Sequence, residues 1–164
     1  MVKYMNSIEN ARTLHFHYLI HPHSSIMEKR NRVGAVWIAL GAVSAALGVI
    51  LGSIGAHGLE KMIADMDDLP KRLANWDTGV RYQMYHSLGL TLVGMLICLF
   101  GSSRIFAAAG WFFLTGMLIF CGCLYIWVLT DSTPAVVIVP LGGVAFILGW
   151  FCIAIGTLTQ WRSE

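Results

Sequence analysis

The sequence predicts an all-α integral membrane four-helix bundle with up-down antiparallel topology. Three observations lead there. Of 164 residues, 57% are hydrophobic and only 12% are charged, against about 25% charged in an average soluble domain. The apolar residues gather in four runs, each near the ~20 residues that span a bilayer. Two of the three connections between runs are short turns, which force antiparallel neighbours.

The first run, residues 33–54, carries no charge. It is too long for the apolar core of a secretory signal, so it reads as an uncleaved signal anchor. The second run, 84–100, sits near the lower length limit, whereas the third, 105–128, and the fourth, 135–158, are comfortable. In lipid the backbone must satisfy its own polar groups, so each run is a helix. Residues 55–83 form the one sizeable connection, with charges from Glu60 to Arg81 and an expected short interfacial helix before Pro70. Gly101-Ser102-Ser103-Arg104 and Asp131-Ser132-Thr133-Pro134 are the tight turns.

Residues 1–32 form a polar tail ahead of the four-span domain at 33–161. Met27-Glu28-Lys29-Arg30-Asn31-Arg32 leads straight into the first span, and the expectation is that translation starts at Met27. The rival readings are a disordered tail and a metal-binding tract of His15, His17, His21 and His23, a compositional signal only. With the N-terminus inside, seven of the eleven Lys and Arg residues are cytoplasmic. The positive-inside rule therefore favours both termini in the cytoplasm of a bacterial inner (plasma) membrane. A net charge of +2 without a basic stripe gives no nucleic-acid footprint. The expected partners are the lipid bilayer and a second copy or another membrane protein.

Glycine patterning marks the packing faces. Gly34, Gly41, Gly48 and Gly55 recur every seven residues, with Gly52 one turn from Gly48. Gly142, Gly149 and Gly156 repeat the period in the fourth span. Seven residues return a helix to nearly the same face, and small residues there let two membrane helices approach closely. A glycine-lined path for a small substrate is the functional alternative. Residues 34–48 and 142–156 match at six of fifteen positions, a faint repeat. Cys98, Cys121, Cys123 and Cys152 lie inside apolar runs and read as small packing residues.

Few positions offer chemistry. His57 ends the first span and His86 begins the second, on one side of the membrane, with Trp76 in the loop and Tyr82 one turn before His86. Tyr82 and His86 share a helix face, with Gln83 beside them. His57, Trp76, Tyr82, Gln83 and His86 are therefore the candidate ligand-binding set. Three readings of the histidines stay open: pinning the loop by hydrogen bonds, binding a polar ligand or relaying a proton, or ligating a metal or haem with Asp77 as the one nearby acid. Pro140 falls early in the fourth span. It marks a kink, through a late helix start after Pro134 or through a broken helix lining a cavity. Tyr125, Trp127, Trp111 and Trp161 read as interfacial anchors. No phosphate-binding loop, dinucleotide fingerprint, nucleophile elbow or zinc-protease motif is present, so an enzyme is not expected and no cofactor is assigned. The main functional reading is a structural or interaction protein. The second is a small oligomeric transporter or channel, and the third a membrane cofactor binder.

Four motifs carry a resemblance. Gly52-Ser53-Ile54-Gly55-Ala56-His57-Gly58-Leu59 is followed by Trp76-x-Thr78-Gly79-x-x-Tyr82-Gln83-Met84-x-His86. Phe120-x-Gly122-x-Leu124-Tyr125 comes next, then Pro140-Leu141-Gly142-Gly143 with Gly149-Trp150. Together they resemble the small four-span membrane proteins catalogued as domain of unknown function 423, over roughly Val33 to Trp161. The resemblance implies a four-span plasma-membrane protein, with no assigned catalytic residue and no established activity. Where that family's third motif usually has a serine near its glycine, this chain has Cys121 and Cys123, so no hydroxyl role carries over there.

Overall fold

In the computed structural model the described residues are 22–101, 104–130 and 132–161. The expectations placed on residues 1–21, including His15, His17 and His21, and the side chains of His23 and Trp161, lie outside them. Four long helices, each apolar enough to cross a membrane, pack antiparallel. Helix α1 is Pro22–His57 and its spanning part is Asn31–His57. A short α2, Leu59–Met62, follows. Helix α3 runs Leu69–Phe100. The third span is α4, Arg104–Gly116, a π-helical turn at Met117–Cys121, and α5, Gly122–Thr130. Helix α6 runs Thr133–Trp161.

The second span differs most from its sequence outline. Of the connection at 55–83, residues 69–83 are not loop but the first half of α3, while the short α2 and the turns at 63–68 precede it. Pro70 stands in its first turn, where a missing N–H costs nothing. The whole helix has 32 residues, about 48 Å at 1.5 Å per residue, whereas the hydrocarbon core is ~30 Å thick. The half bearing Lys71, Arg72, Asp77 and Arg81 therefore stands beyond the apolar band. Charge there reports departure from the membrane, not departure from the helix. At the other end Gly101 has φ 102° and its N–H bonds the Ile97 carbonyl at 3.0 Å. Only glycine takes that left-handed conformation without strain, which closes the helix for the turn.

Helix α6 departs from expectation too. It starts at Thr133 with Pro134 in its first turn and continues through Pro140. Pro140 is thus inside the helix, and the late-start reading is corrected. The proline removes one intrahelical hydrogen bond.

The helices pack chiefly with their chain neighbours, α1 on α3 and the third span on α6. Within the most apolar windows, 22% of residues are buried in the first and fourth spans and 44% in the middle two. The outer faces of α1 and α6, such as Val36, Val43, Ile147 and Phe151, are the lipid-facing ones.

Both tight pairs use the glycine period. A Cβ on Gly34 would run into the Cys98 Sγ and one on Gly41 into the Thr91 hydroxyl, while one on Gly48 would lie 2.8 Å from Met84 and one on Gly55 2.8 Å from Trp76. The partner numbers fall as the glycine numbers rise, which is the antiparallel register. In the second pair Gly142 faces Phe120, Gly149 faces Phe113 and Gly156 faces Phe106. These phenylalanines are themselves seven apart: the rings of Phe113 and Phe106 seat in the notches at Gly149 and Gly156, whereas Gly142 meets the backbone and Cβ of Phe120. Packing of this kind replaces the hydrophobic drive that helices lack inside lipid. Gly52 is looser, with Val80 at an ordinary 3.4 Å.

Candidate functional site

The interior of the bundle holds a chain of polar side chains in the first half of the apolar band of α3. The amide of Gln83 donates to the Ser44 carbonyl at 3.0 Å, and its oxygen accepts from the Tyr125 hydroxyl at 3.0 Å. Ser87 Oγ lies 2.7 Å from the Gln83 carbonyl and 2.8 Å from the Ser44 hydroxyl. Ser44 Oγ in turn donates to Met117 Sδ at 3.4 Å. One network thus ties α1, α3, the π turn and α5. Buried polar groups in a low dielectric need such partners, and a satisfied network fixes register between helices. The π turn, flanked by Gly116 and Gly122, lies against α6 so closely that a Cβ on Gly142 would stand 2.5 Å from the Phe120 nitrogen.

His86 sits beside this network, on the α6 side. Its ring stacks on Phe146 with centroids 3.4 Å apart and 9° between planes. Trp150 Nε1–H donates to His86 Nε2 at 3.3 Å. Nε2 is therefore the acceptor, which assigns the proton to Nδ1. Nδ1 then donates to the Tyr82 carbonyl, 2.7 Å away. Both ring nitrogens are engaged, and the ring is clamped between α3 and α6.

His57 is elsewhere. It is exposed at the C-terminal end of α1, in a separate cavity of ≈ 320 Å³ that it shares with Gly55, Trp76, Asp77 and Lys61. Because Gly48 meets Met84, His86 lies level with the middle of α1, roughly 15 Å along the axis from His57 at 1.5 Å per residue. The five residues singled out in the sequence are thus divided three ways. His57 and Trp76 line the outer cavity, Gln83 is in the interior network, and Tyr82 and His86 face a cleft between α3 and α6. Trp76 is buried, with its indole N–H on the Leu51 carbonyl at 2.9 Å. Among the described residues no three of His, Cys, Asp and Glu come together as a metal cluster, and all four cysteines are unpaired.

Two side chains have more specific roles than the sequence suggested. Tyr125 is not an interfacial anchor but an interior one, bonded to Gln83 and packed on Trp76 at 4.8 Å between ring centroids. Tyr125→Phe keeps the ring and strands the Gln83 oxygen. It should cost about 1 kcal/mol, read as a lower melting temperature in detergent. Arg72, one of many charges in the presumed loop, is only 2% exposed. Its Nη1 bonds the carbonyls of Trp127 and Val128, each at 3.0 Å, and its Nε bonds the Asp67 carbonyl at 2.7 Å. Its guanidinium also lies 4.9 Å from the Trp127 ring centroid. Trp127, read as an anchor, is buried beneath it. Trp111 does sit outward, 65% exposed.

Four antiparallel apolar helices, with a closed polar network inside and charges only at the ends, define a multi-span membrane protein. The chain belongs to the family described as protein of unknown function DUF423, whose model matches residues 51–143. It is 44% identical over 123 residues to the UPF0382 membrane protein YwdK of Bacillus subtilis, covering 75% of this chain and 96% of that one. UPF0382 membrane proteins of Staphylococcus epidermidis and Staphylococcus saprophyticus are 40% and 41% identical, covering 75% and 74% of this chain and 95% and 96% of theirs. No solved structure matches the chain.

Proposed function

We propose that this chain is a non-enzymatic protein of the bacterial plasma membrane, with both termini cytoplasmic, acting through helix packing and interaction with other membrane components. The observation that supports this reading is the clamped state of His86. Trp150 and the Tyr82 carbonyl occupy both ring nitrogens, so the ring has no free nitrogen to serve as a general base. Gln83, Ser44 and Ser87 are likewise paired within the protein. A general base must reach the proton it abstracts, and here the position in front of Nε2 is taken by the Trp150 N–H. Bacterial relatives support the choice of membrane.

The test is thermal melting of the purified protein in detergent, with a panel of small solutes and metal ions, beside His57→Ala and His86→Ala. His57→Ala should leave stability within about 0.5 kcal/mol, as exposed positions do. His86→Ala should cost about 1–3 kcal/mol, because the Trp150 N–H loses its acceptor where water is scarce. No panel member should raise the melting temperature. A compound that stabilises the wild type and not the His57→Ala/His86→Ala double variant would overturn the reading, since a ligand of the folded state must stabilise it.

A further inference from the structure

The third span and α6 are both interrupted, and at the same level. The third span has its π turn at Met117–Cys121. Helix α6 has Pro140 inside it, one bond short in its ladder. A Cβ on Gly142 would stand 2.5 Å from the Phe120 nitrogen, so the two helices meet backbone to backbone at these interruptions. π turns and internal prolines are the places where helices bend.

Two glycines at this level have no packing reason. A Cβ on Gly122 would meet nothing within 4 Å, and one on Gly143 only the Phe120 ring at 3.9 Å. By contrast Gly110, Gly116, Gly142, Gly149 and Gly156 in the same two spans each face an atom within 2.7 Å. A glycine that lets nothing approach only weakens its helix relative to alanine. The π turn, the proline and the two loose glycines thus mark one plane across two neighbouring helices.

Beyond that plane the chain is a hairpin of two arms, Gly122–Thr130 and residues 133–139, joined through Asp131-Ser132. Its first arm is fastened to α3. Arg72 bonds the Trp127 and Val128 carbonyls, each at 3.0 Å, and Tyr125 bonds Gln83 at 3.0 Å. Arg72 belongs to the part of α3 that stands beyond the apolar band, so the hairpin beside it lies at the membrane surface and within reach of water. On its other side the plane borders the cleft between α3 and α6, a space of ≈ 640 Å³ lined by Phe120, Pro140 and Gly143. A bend there meets open space and not a packed core.

We propose that the hairpin 122–139 is a hinged flap. It turns about the plane of the π turn and Pro140, and Arg72 latches it to the start of α3. Latched, it packs Trp127 and Val128 on Leu59, Ile63 and Trp76. Released, it lifts that packing and widens the cleft beside Tyr82 and Tyr85. Hinges of this kind concentrate the backbone change in a few residues and leave the rest of each helix intact.

The test is hydrogen–deuterium exchange of the protein in lipid nanodiscs, read by mass spectrometry at labelling times short of global unfolding. Arg72→Ala should speed exchange about ten-fold or more in both arms, the least that losing one charge-assisted bond gives. Residues 104–116 and 142–160 should stay within about two-fold of wild type. The second arm is the telling one, because the carbonyls that Arg72 bonds both lie in the first. Gly122→Ala/Pro140→Ala stiffens both helices away from the latch, and alanine favours helix, so folding is not at risk. With Arg72 present this pair should slow exchange in both arms about five-fold or more. Added to Arg72→Ala, it should return both arms most of the way to wild type. A rise confined to the end of the first arm would overturn the hinged unit. An equal rise in residues 104–116 and 142–160 would overturn the latch and leave Arg72 a general support. Unchanged exchange in Gly122→Ala/Pro140→Ala would overturn the hinge.

Discussion

Gly41→Leu is expected to prevent α1 and α3 from docking. A Cβ at Gly41 would run into the Thr91 hydroxyl oxygen and lie 2.6 Å from the Ser87 carbonyl oxygen and 2.8 Å from the Thr91 nitrogen. Two of those atoms are backbone, so no rotamer change relieves the clash. The helices must separate along the whole interface, and that interface also holds Gly34 against Gly94 and Gly48 against Met84. Separation would pull the Ser44 carbonyl and hydroxyl away from Gln83 and Ser87, leaving polar atoms unpaired inside lipid. Overpacking alone costs about 1–3 kcal/mol, and the lost network brings the expected destabilisation to about 3 kcal/mol or more. Gly41→Ala should fall in the lower half of that range. Gly52→Ala, facing Val80 at 3.4 Å, should be nearly silent. Denaturation followed by tryptophan fluorescence in detergent ranks the three. A Gly41→Leu protein as stable as Gly52→Ala would refute the packing account.

The ranking also shows what could be read without coordinates. Seven-residue glycine spacing told which faces of the first and fourth spans approach another helix, because glycine contrasts with the leucine and valine around it. The matching spacing of Phe106, Phe113 and Phe120 was equally present but carried no contrast, since one more large apolar residue in an apolar run is unremarked. The start of α3 was hidden for a related reason. Hydropathy detects the bilayer and not the helix, so a helix that continues beyond the hydrocarbon looks like a span with a loop attached. That misplacement brought His57 and His86 together on paper. Starting the helix at Leu69 instead puts His86 well inside it, against Phe146 and Trp150, residues some 60 positions away that nothing local in the sequence connects to it. Tyr125 misled in the same way. Its place near the end of the third span fits an interfacial belt, but the early start of α3 brings Gln83 opposite it.

Arg72 was the least legible residue and should be among the most costly to remove. The carbonyls in the last turn of any helix lack intrahelical donors. In α5 two of them, from Trp127 and Val128, end under the first turns of α3, out of reach of bulk water. Arg72 answers both with one nitrogen, each bond 3.0 Å, while its Nε holds the Asp67 carbonyl just before α3 begins. A positive charge there also complements the negative end of the α5 dipole. A single side chain thus joins the entry to α3 to the exit of the third span, across 55 residues of sequence. Hydrogen bonds from charged groups contribute about 1.5–3 kcal/mol each. Their loss is not additive, so Arg72→Ala is expected to cost about 3 kcal/mol. Arg72→Lys keeps the charge but has no planar fork to serve Asp67 and the helix end together, and should recover less than half of the loss. If charge alone matters, lysine will restore full stability. If only the stacking on Trp127 matters, Arg72→Met will perform as well as lysine. The bonding geometry requires that wild type exceed both, and that both exceed alanine.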